Sequence, residues 1–445
     1  MTTANDILKK IKDEGIKYVD LRFTDPRGKL QHVTFDQTMI DEDIFEEGTM
    51  FDGSSIEGFV RIEESDMYLK PDLGTFRVLP WPDASGARVG AITCDIANPD
   101  GTPFAGCPRT ALKRAIARAA ALDFRMVASL EAEFFLFQRR DGSPTTLTHD
   151  TAGYFDLAPV DQGEDVRREI VLALEQMGFL VEAAHHEVAP GQHEVDFRDD
   201  DVLATADNVS TFRFVVKNVA LRNGLHATFM PKPIYGINGS GMHTHMSLFE
   251  GDTNAFHETG NPFGLSKVAQ GFIAGLLHHA PALTAITNQL VNSYKRLIAG
   301  YEAPTYITWA RNNRSALVRV PVTKHGKQSS TRIEYRATDP ACNPYLAFSV
   351  ILAAGLAGIE GDYHLEEEAD SNIFELSEEE RRAKGIRLLP SSLADALDQM
   401  ETSELVRDAL GAHIHEWFLR NKRAEWMDYK SQVTQFELER YLPNI

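Results

Sequence analysis

An acidic pair inside an apolar, strand-like run is the feature that most constrains how this chain can fold. Residues 130–137 read Leu-Glu-Ala-Glu-Phe-Phe-Leu-Phe, with Glu131 and Glu133 two positions apart. Side chains two apart in a β-strand leave the same face of the sheet, so both carboxylates share one face. Two like charges in an apolar run are costly unless a cation neutralises them, and a divalent metal ion would do so. The alternative is a strand with one solvated face.

A second acidic pair lies in a predicted hairpin. Residues 184–196 carry Pro190-Gly191 at their centre, and a two-residue turn there pairs Glu187 with Glu194. Like charges directly opposite one another destabilise a hairpin, whereas a metal ion held between them would stabilise it. Pro-Gly favours a type II turn, which is not the best turn for a two-residue hairpin loop. A solvent-facing hairpin is therefore the alternative.

Two further segments show a similar alternation. Residues 238–241, Asn-Gly-Ser-Gly, lead into residues 243–247, where two histidines and a serine alternate with other side chains. Residues 332–336 place Glu334 between two arginines, a pattern that also fits an ordinary salt-bridged strand. A ligand set that is rich in Glu, poor in His and free of Cys suits a hard cation. Mg²⁺ or Mn²⁺ is therefore expected rather than zinc or copper.

A basic window stands out in an acidic chain. The 445 residues have a net charge of −20, yet residues 295–336 contain nine lysines and arginines and two acids, a net charge of +7. Arginines present forked donors that suit carboxylate and phosphate groups, so beside a metal site this window predicts phosphoryl transfer from a nucleotide. No Walker A motif or kinase glycine-rich loop is present. An RNA-binding or interface patch is the alternative, but the acidic chain disfavours nucleic acid and anionic membranes.

The order of the predicted elements favours an α+β protein with two domains. Hairpins stand beside helical crossings, which fits α+β better than a doubly wound parallel sheet. The proline- and glycine-rich stretch 98–108 is the best boundary and gives domains of residues 1–104 and 105–445. Three cysteines without a CxxC motif predict a reduced, cytoplasmic protein, and no signal peptide is expected. The longest apolar run, residues 347–359, is too short to span a bilayer and predicts a buried helix.

Longer motifs add a family resemblance. The chain resembles bacterial class I glutamine synthetase at Phe-Asp-Gly-Ser-Ser (51–55), Asn-Gly-Ser-Gly-Met-His (238–243), Arg-Ser (314–315) and the run 332–345. The resemblance covers essentially the whole chain and implies a small N-terminal β-grasp domain. It implies a larger C-terminal α+β catalytic domain with a curved antiparallel sheet, and a dodecamer of two stacked hexameric rings with active sites between subunits. The implied reaction is the ATP-driven joining of ammonia to the γ-carboxylate of glutamate, which gives glutamine, ADP and phosphate.

The same resemblance implies a role for each matched side chain. One metal ion would be held by Glu133, Glu187 and Glu194, and the other by Glu131, His243 and Glu334. The residues expected to contact glutamate are Asn238, Gly239, Arg296, Glu302, Arg314 and Arg336. Those expected to contact ATP are Glu182, His245, Ser247, Arg314, Arg319 and Lys327. The ammonium site would combine Asp52 of the partner subunit with Tyr154, Glu187 and Glu302.

The implied chemistry gives three side chains catalytic roles. The γ-carboxylate of glutamate is a poor electrophile because it is anionic, and phosphorylation by ATP converts it into a mixed anhydride, γ-glutamyl phosphate. Arg314 and the metal ions would offset the charge on the phosphoryl oxygens. Asp52 would bind ammonium and accept a proton from it, which frees the nucleophile. Glu302, on a predicted flap at residues 300–304, would exclude the water that hydrolyses the intermediate.

Departures from the family pattern bear on regulation. The adenylylated branch of the family carries a modified tyrosine where residues 372–374 read Asn-Ile-Phe. The chain therefore resembles the shorter, non-adenylylated type, in which Arg61 matches an arginine tied to glutamine feedback inhibition.

Two rival functions stay open. A γ-glutamyl ligase for a larger amine should lack the acidic ammonium pocket, and a non-catalytic member of the fold should have lost metal ligands.

Overall fold

Two sheets organise the described part of the chain, one of six strands near the N-terminus and one of eleven strands in the larger remainder. The computed structural model describes residues 2–59, 66–261, 264–311, 313, 315–322, 330–369 and 376–445. The expected α+β fold class is confirmed by the mixture of hairpins and helices around both sheets. Arg61, Arg314, Lys327 and the segment 372–374 lie outside the described residues, so the expectations about them stay predictions.

The N-terminal domain packs one helical face onto a mixed sheet. Its elements are α1 Ala4–Asp13, β1 Ile16–Thr24, β2 Leu30–Asp36, α2 Glu42–Glu46, β3 Thr49–Asp52, β4 Asp66–Pro71, β5 Arg77–Val78 and β6 Arg88–Ala97. The strand order is β2-β1-β6-β4-β3, with β5 paired to β6, and β1 runs parallel to β6. Ile7 and Ile11 are four residues apart on α1, so both point into the core of this sheet. The small β-grasp domain is thus confirmed.

The larger domain is built on a curled, mostly antiparallel sheet. Its elements are α3 Pro108–Ala120, β7 Arg125–Arg140, β8 Ser143–Thr148, α4 Glu164–Gln176, β9 Val181–His186, β10 Gln192–Asp201, α5 Val202–Arg222, β11 Leu225–Thr228, β12 Met242–Glu250, β13 Thr253–Asn254, α6 Lys267–Thr287, α7 Ser293–Arg296, β14 Tyr306–Ala310, β15 Ala316–Arg319, β16 Ile333–Tyr335, α8 Pro344–Glu360, α9 Glu378–Ala383, β17 Arg387–Leu388, α10 Leu393–Glu401, α11 Glu404–Leu410, α12 Ala412–Lys430 and α13 Gln435–Tyr441. The strand order is β17-β14-β15-β16-β12-β7-β10-β9. β8 and β11 also pair with β7, and β13 pairs with β12. Among the described strands of this sheet, β14 and β15 form the one parallel pair.

The apolar run at 347–359 lies inside α8, as predicted, and almost all of its side chains are buried. This helix packs closely on α6, because a Cβ added at Gly358 would overlap the backbone oxygen of Gly271. Among the described residues, no helix combines the length and the hydropathy that crossing a membrane requires.

A buried arginine joins the two domains. Arg109, in the first turn of α3, pairs with Asp72 at 2.7 Å and with Asp95 at 2.9 Å, both in the N-terminal domain. It also binds Asp207 on α5 through two hydrogen bonds of 3.0 and 2.9 Å. Two parallel bonds from one guanidinium fix its orientation as well as its position. This cluster therefore sets how the N-terminal domain sits on the larger one.

We expect Arg109→Met to lower the free energy of unfolding by about 3 kcal/mol, because the buried Asp207 would lose its counter-charge. The midpoint of thermal unfolding, followed by circular dichroism, measures the loss. Arg118→Met on the same helix is the matched control, since the Arg118–Glu360 pair is exposed and such pairs contribute about 0–1 kcal/mol. Equal losses in the two variants would contradict the role assigned to the cluster.

Candidate active site

The predicted polar faces meet on five neighbouring strands. β9, β10, β7, β12 and β16 are consecutive in the larger sheet. Their registers place Glu194 directly opposite Glu133. Glu131 lies opposite Asp196 on one side and opposite His243 on the other. These side chains line one cavity of about 570 Å³. Since like charges opposite one another destabilise a sheet, this face is suited to cations.

The hairpin between β9 and β10 has a different register from the predicted one. The turn does form at Pro190-Gly191, where the glycine has a φ of +70°. The first ladder bond beyond it runs from the Glu187 N–H to Gln192 O at 2.8 Å. His185 therefore lies opposite Glu194, and the predicted pairing of Glu187 with Glu194 is wrong. The physical reason is the type II turn that Pro-Gly prefers, which does not fit a two-residue hairpin loop and leaves a longer loop instead.

Glu131, His243 and Glu334 come together at the cavity. Their ligand atoms lie within 4.8 Å of one another. His243 Nδ1 is 2.9 Å from Glu131 Oε2 and 3.7 Å from Glu334 Oε1. Glu334 is fully buried, and Arg319 Nη1 donates to its Oε2 at 2.7 Å while Arg336 donates to its other oxygen. Two carboxylates and one imidazole nitrogen form a plausible ligand set for a hard divalent cation.

A second group of candidate metal ligands contains a histidine beside the expected glutamates. His185, Glu187 and Glu194 place ligand atoms within 4.8 Å of one another, and His185 Nε2 is 3.0 Å from Glu194 Oε1. Glu133 borders this group, where its Oε2 accepts hydrogen bonds from Gln192 Nε2 at 2.8 Å and from a backbone N–H at 3.1 Å. All three expected glutamates thus line the same cavity.

The crowded carboxylates perturb one another's acidity. Burial and the neighbouring carboxylates raise the pKa values of Glu133 and Glu194 well above their usual range. Burial and the charge of Glu131 raise the pKa of Asp196 to about 7. Burial also acts to raise the pKa of Glu131, but hydrogen bonds with two histidines outweigh it and leave that pKa lowered. Carboxyl groups that retain protons near neutral pH can exchange them for divalent cations, so the donor set fits a metal site.

Buried arginines and the predicted flap border another side of the cavity. Arg296 and Arg336 are 3% and 5% exposed, and Arg296 Nη1 donates to a backbone carbonyl at 2.7 Å. Asn238 Nδ2 donates to Glu302 Oε2 at 3.4 Å, which connects the Asn-Gly-Ser-Gly loop to the flap. Gly239 lines the cavity as well, so five of the six residues expected to contact glutamate border it, and the sixth, Arg314, lies outside the described residues.

The expected ATP contacts spread along β12 and its neighbours. Among those described, Arg319 lines the cavity. His245 Nε2 lies 2.8 Å from Glu131 Oε1, and Ser247 Oγ donates to a backbone carbonyl at 2.7 Å. Glu182 is exposed on β9, with its Oε1 at 3.7 Å from an arginine nitrogen. The structure thus joins His245 to the metal-ligand cluster and leaves Glu182 at the edge.

A single chain does not bring Asp52 to the cavity. Tyr154 does line it, with its ring centroid 5.5 Å from that of His185. Asp52 instead ends β3 in the N-terminal domain, outside the residues that line this pocket. Ser54 donates to its carboxylate from Oγ at 2.6 Å and from the backbone N–H at 2.9 Å, and these bonds lower the pKa of Asp52.

Sequence reasoning missed three polar side chains of the cavity that can bind or support a metal ion, namely His185, Gln192 and Asp196. Gln192 supports Glu133, as described above, and Asp196 lies on the same face of β10 as Glu194. Among the described residues, no group forms a hydrogen bond with the buried Asp196 Oδ1. Period-two spacing from Glu194 could have found both Gln192 and Asp196. His185 was missed because its place opposite Glu194 depends on the register of the hairpin.

Family models cover both domains. The model described as "Glutamine synthetase, catalytic domain" matches residues 105–441, and "Glutamine synthetase, beta-Grasp domain" matches residues 15–99. The chain is 51% identical over 442 residues to a glutamine synthetase of Methanosarcina mazei, with 99% of this chain and 98% of the relative covered. It is 52% identical over 444 residues to a glutamine synthetase of Thermus thermophilus, with 99% of each chain covered.

Solved structures share the fold. A GmaS/ADP complex, 36% identical, superposes with a TM-score of 0.89 over 100% of both chains. The cryo-EM structure of a Plasmodium falciparum glutamine synthetase, 24% identical, gives a TM-score of 0.87 over 99% of both chains. At that identity the second match speaks for the fold alone.

We expect Glu187→Gln to weaken divalent-ion binding by at least about tenfold, since even partners outside the ligand shell contribute that much to metal affinity. Titration calorimetry with Mn²⁺ measures the affinity. Glu175→Gln, on an exposed part of α4, is the matched control and should bind Mn²⁺ as the wild type does. Unaltered affinity in Glu187→Gln would remove Glu187 from the metal site.

The stability that a metal ion adds should grow with pH. Glu133, Glu194 and Asp196 have raised pKa values in the folded chain. Without a bound metal ion, these three groups hold more protons in the folded than in the unfolded chain, so their contribution to stability falls as pH rises from about 4 toward about 7. Bound metal replaces these protons, so the rise in Tm on adding Mn²⁺ should be larger at about pH 8 than at about pH 5.5. Equal rises at both pH values would contradict this linkage.

Proposed function

The chain belongs to the glutamine synthetase family, and from that premise we propose which side chains carry each step of its reaction. It is an ATP-dependent ligase that joins ammonia to the γ-carboxylate of glutamate, and it uses a divalent metal ion. One observation carries the assignment of residues: two carboxylate–histidine groups and two buried arginines border one cavity.

Two divalent cations, Mg²⁺ or Mn²⁺, are proposed for each active site. One would be held by Glu133, Glu187 and Glu194, and the other by Glu131, His243 and Glu334. The support is chemical, since Glu133 and Glu194 face each other on adjacent strands and oxygen ligands suit hard cations. When bound, such ions offset negative charge on phosphoryl oxygens.

Arginines orient the two anionic substrates. Arg296 and Arg336 present buried guanidinium groups to the cavity, and a forked donor matches the shape of a carboxylate. Arg319 lies beside the Glu334 cluster, where it can face the transferred phosphoryl group. A γ-carboxylate oxygen of glutamate attacks the terminal phosphorus of ATP, ADP leaves, and γ-glutamyl phosphate forms. The roles of Glu182, His245, Ser247, Arg314 and Lys327 toward ATP and phosphate rest on the family resemblance.

Ammonium must lose a proton before its nitrogen can attack. Asp52, supplied by a neighbouring subunit, would bind the ammonium cation together with Tyr154, Glu187 and Glu302. The lowered pKa of Asp52 keeps its carboxylate charged, which favours binding of the cation. After proton transfer the nitrogen attacks the acyl carbon, and phosphate leaves with the electrons of the broken C–O bond and takes up the second proton that the nitrogen loses.

The flap protects the activated intermediate. Glu302 is held against Asn238, so the flap lies over the loop that carries two of the proposed glutamate contacts. A closed flap would exclude water, which otherwise competes with ammonia for the acyl carbon.

The assembly would be a dodecamer of two stacked hexameric rings. Asp52 is exposed and lies outside its own subunit's cavity, which suits an active site shared between subunits. Phe436 and Leu442, at and just beyond the C-terminal helix α13, are 61% and 76% exposed, and a partner subunit would cover such apolar groups.

A domain boundary after residue 104 fits family matches that end at 99 and begin at 105. Three buried free cysteines fit a reducing cytoplasmic setting.

Omission of each substrate in turn tests the reaction. We expect sustained release of phosphate from ATP only when glutamate and ammonia are both present, with one glutamine formed for each phosphate. Methylamine or a polyamine offered in place of ammonia should react more slowly, because the relatives at about 50% identity are glutamine synthetases. Preference for a bulky amine would contradict the assigned substrate.

Mixed assemblies test whether the active site is shared. Asp52→Ala and Glu187→Gln should each abolish most ammonia-dependent turnover, and Asp52→Ala should still bind ATP with its metal in a calorimetric titration. Co-assembled at random in equal amounts, the two variants should recover about a quarter of wild-type activity. That is the fraction of interfaces at which an intact Asp52 meets an intact Glu187. Mixed assemblies that stay inactive would place both residues in one subunit's site.

A further inference from the structure

Lys232 lies beneath both loops that border the glutamate side of the cavity. It is 7% exposed, and its Nζ is 3.8 Å from the centroid of the Tyr301 ring on the flap. The same Nζ donates a hydrogen bond to Ile237 O. Its backbone is fixed too, since its N–H donates to Asn292 Oδ1 at 2.8 Å and its carbonyl accepts from Asn292 Nδ2 at 3.0 Å. One side chain therefore contacts the flap and the loop at 237–241 together.

The positive charge of Lys232 is costly where it lies. Burial and the charge of Arg296 both lower the pKa of Lys232. Across the described part of the chain no carboxylate forms an ion pair with it, and its charge meets a carbonyl oxygen and the face of a tyrosine ring. The ring belongs to the flap, so the ammonium group loses this attraction if the flap moves away. The cation–ring contact therefore favours the position of the flap seen here, against the cost of burying the charge.

The flap itself needs such support. Glu302 has a φ of +57°, a left-handed conformation that a residue other than glycine keeps only when its surroundings hold it. Among the described residues, the Glu302 side chain accepts one hydrogen bond, from Asn238 Nδ2, and that bond is long at 3.4 Å. The loop and Lys232 are also packed together, because a Cβ added at Gly239 would lie 3.2 Å from Lys232 Cδ. The contact between Lys232 and Tyr301 is thus a second tie between the flap and this loop.

We propose that Lys232 is a positioning residue that holds the flap closed through the ring of Tyr301 and so keeps water from γ-glutamyl phosphate. This inference rests on the proposed function of the flap. Water that attacks the intermediate returns glutamate and phosphate, so ATP is hydrolysed with no glutamine formed. The ratio of phosphate released to glutamine formed therefore reports the closure of the flap. A variant that merely folds less well lowers both products alike and leaves the ratio unchanged.

The test measures this ratio at limiting ammonia. Lys232→Met keeps most of the apolar stem and removes the charge, and Tyr301→Leu removes the ring. Each should raise the rate of uncoupled phosphate release by roughly two- to thirtyfold, the range that corresponds to the loss of one cation–π contact. The double variant should exceed neither single variant, since both remove the same contact. Lys232→Arg should restore coupling because arginine also places a cation over an aromatic ring.

Lys217→Met is the matched control. Lys217, on α5, also lies over an aromatic ring, with Nζ 5.8 Å from the centroid of Phe229, but it does not line this cavity. This variant should keep the wild-type ratio of phosphate to glutamine.

The outcomes separate the two levels of inference. A wild-type protein that releases phosphate without forming glutamine would refute the proposed function itself. A coupled wild type whose Lys232→Met and Tyr301→Leu variants stay coupled would overturn the role of Lys232 alone. The role of Lys232 would also be overturned if the two increases in uncoupled phosphate release added up in the double variant, because the two side chains would then act separately. If Lys232→Met fails to fold, Tyr301→Leu on the flap decides the question.

Discussion

The site depends on carboxylates that face one another across neighbouring strands. Glu133 opposes Glu194, and Glu131 opposes Asp196, an arrangement that destabilises a sheet unless a cation lies between the strands. Burial and the neighbouring charges raise the pKa values of Glu194 and Asp196, so protons compete with a cation for this face. The strands can keep this arrangement because helices α3 and α5 bury the apolar face of β7 on the opposite side. Function and stability are therefore placed on opposite faces of one sheet.

Alternation along the chain was enough to predict which side chains share a face. Glu131 with Glu133, and His243 with His245, need only the period of two that every strand has. Alternation does not say which strands are neighbours, and the site strands begin as far apart in sequence as Arg125 and Ile333. Their adjacency came from the resemblance to a known family, and strand order in the structure agrees with it. Local spacing thus predicts faces, while topology needs information from beyond the chain.

The register predicted for the β9–β10 hairpin was wrong for a local reason. Pro190-Gly191 makes a turn that does not continue directly into the ladder of hydrogen bonds between the two strands. Other features have no signal in the sequence at all. Lys232 is a lone lysine between two prolines, and its importance appears only when the flap is seen above it. The same holds for Arg109, whose three aspartate partners come from three separate elements. Local sequence patterns do not predict contacts between loops that are distant in the chain.

The Arg109 cluster also bears on the proposal that the N-terminal domain contributes to another subunit's active site. Asp52 ends β3, β3 pairs with β4, and Asp72, which follows β4, is held by Arg109. In the proposed shared site, the place at which Asp52 would meet a neighbouring subunit is therefore fixed by the junction within its own subunit. Catalytic groups need placement to within about 0.5 Å, which a loose tether between domains would not give. Buried ion clusters add little net stability, so the contribution of this one is best understood as rigid geometry.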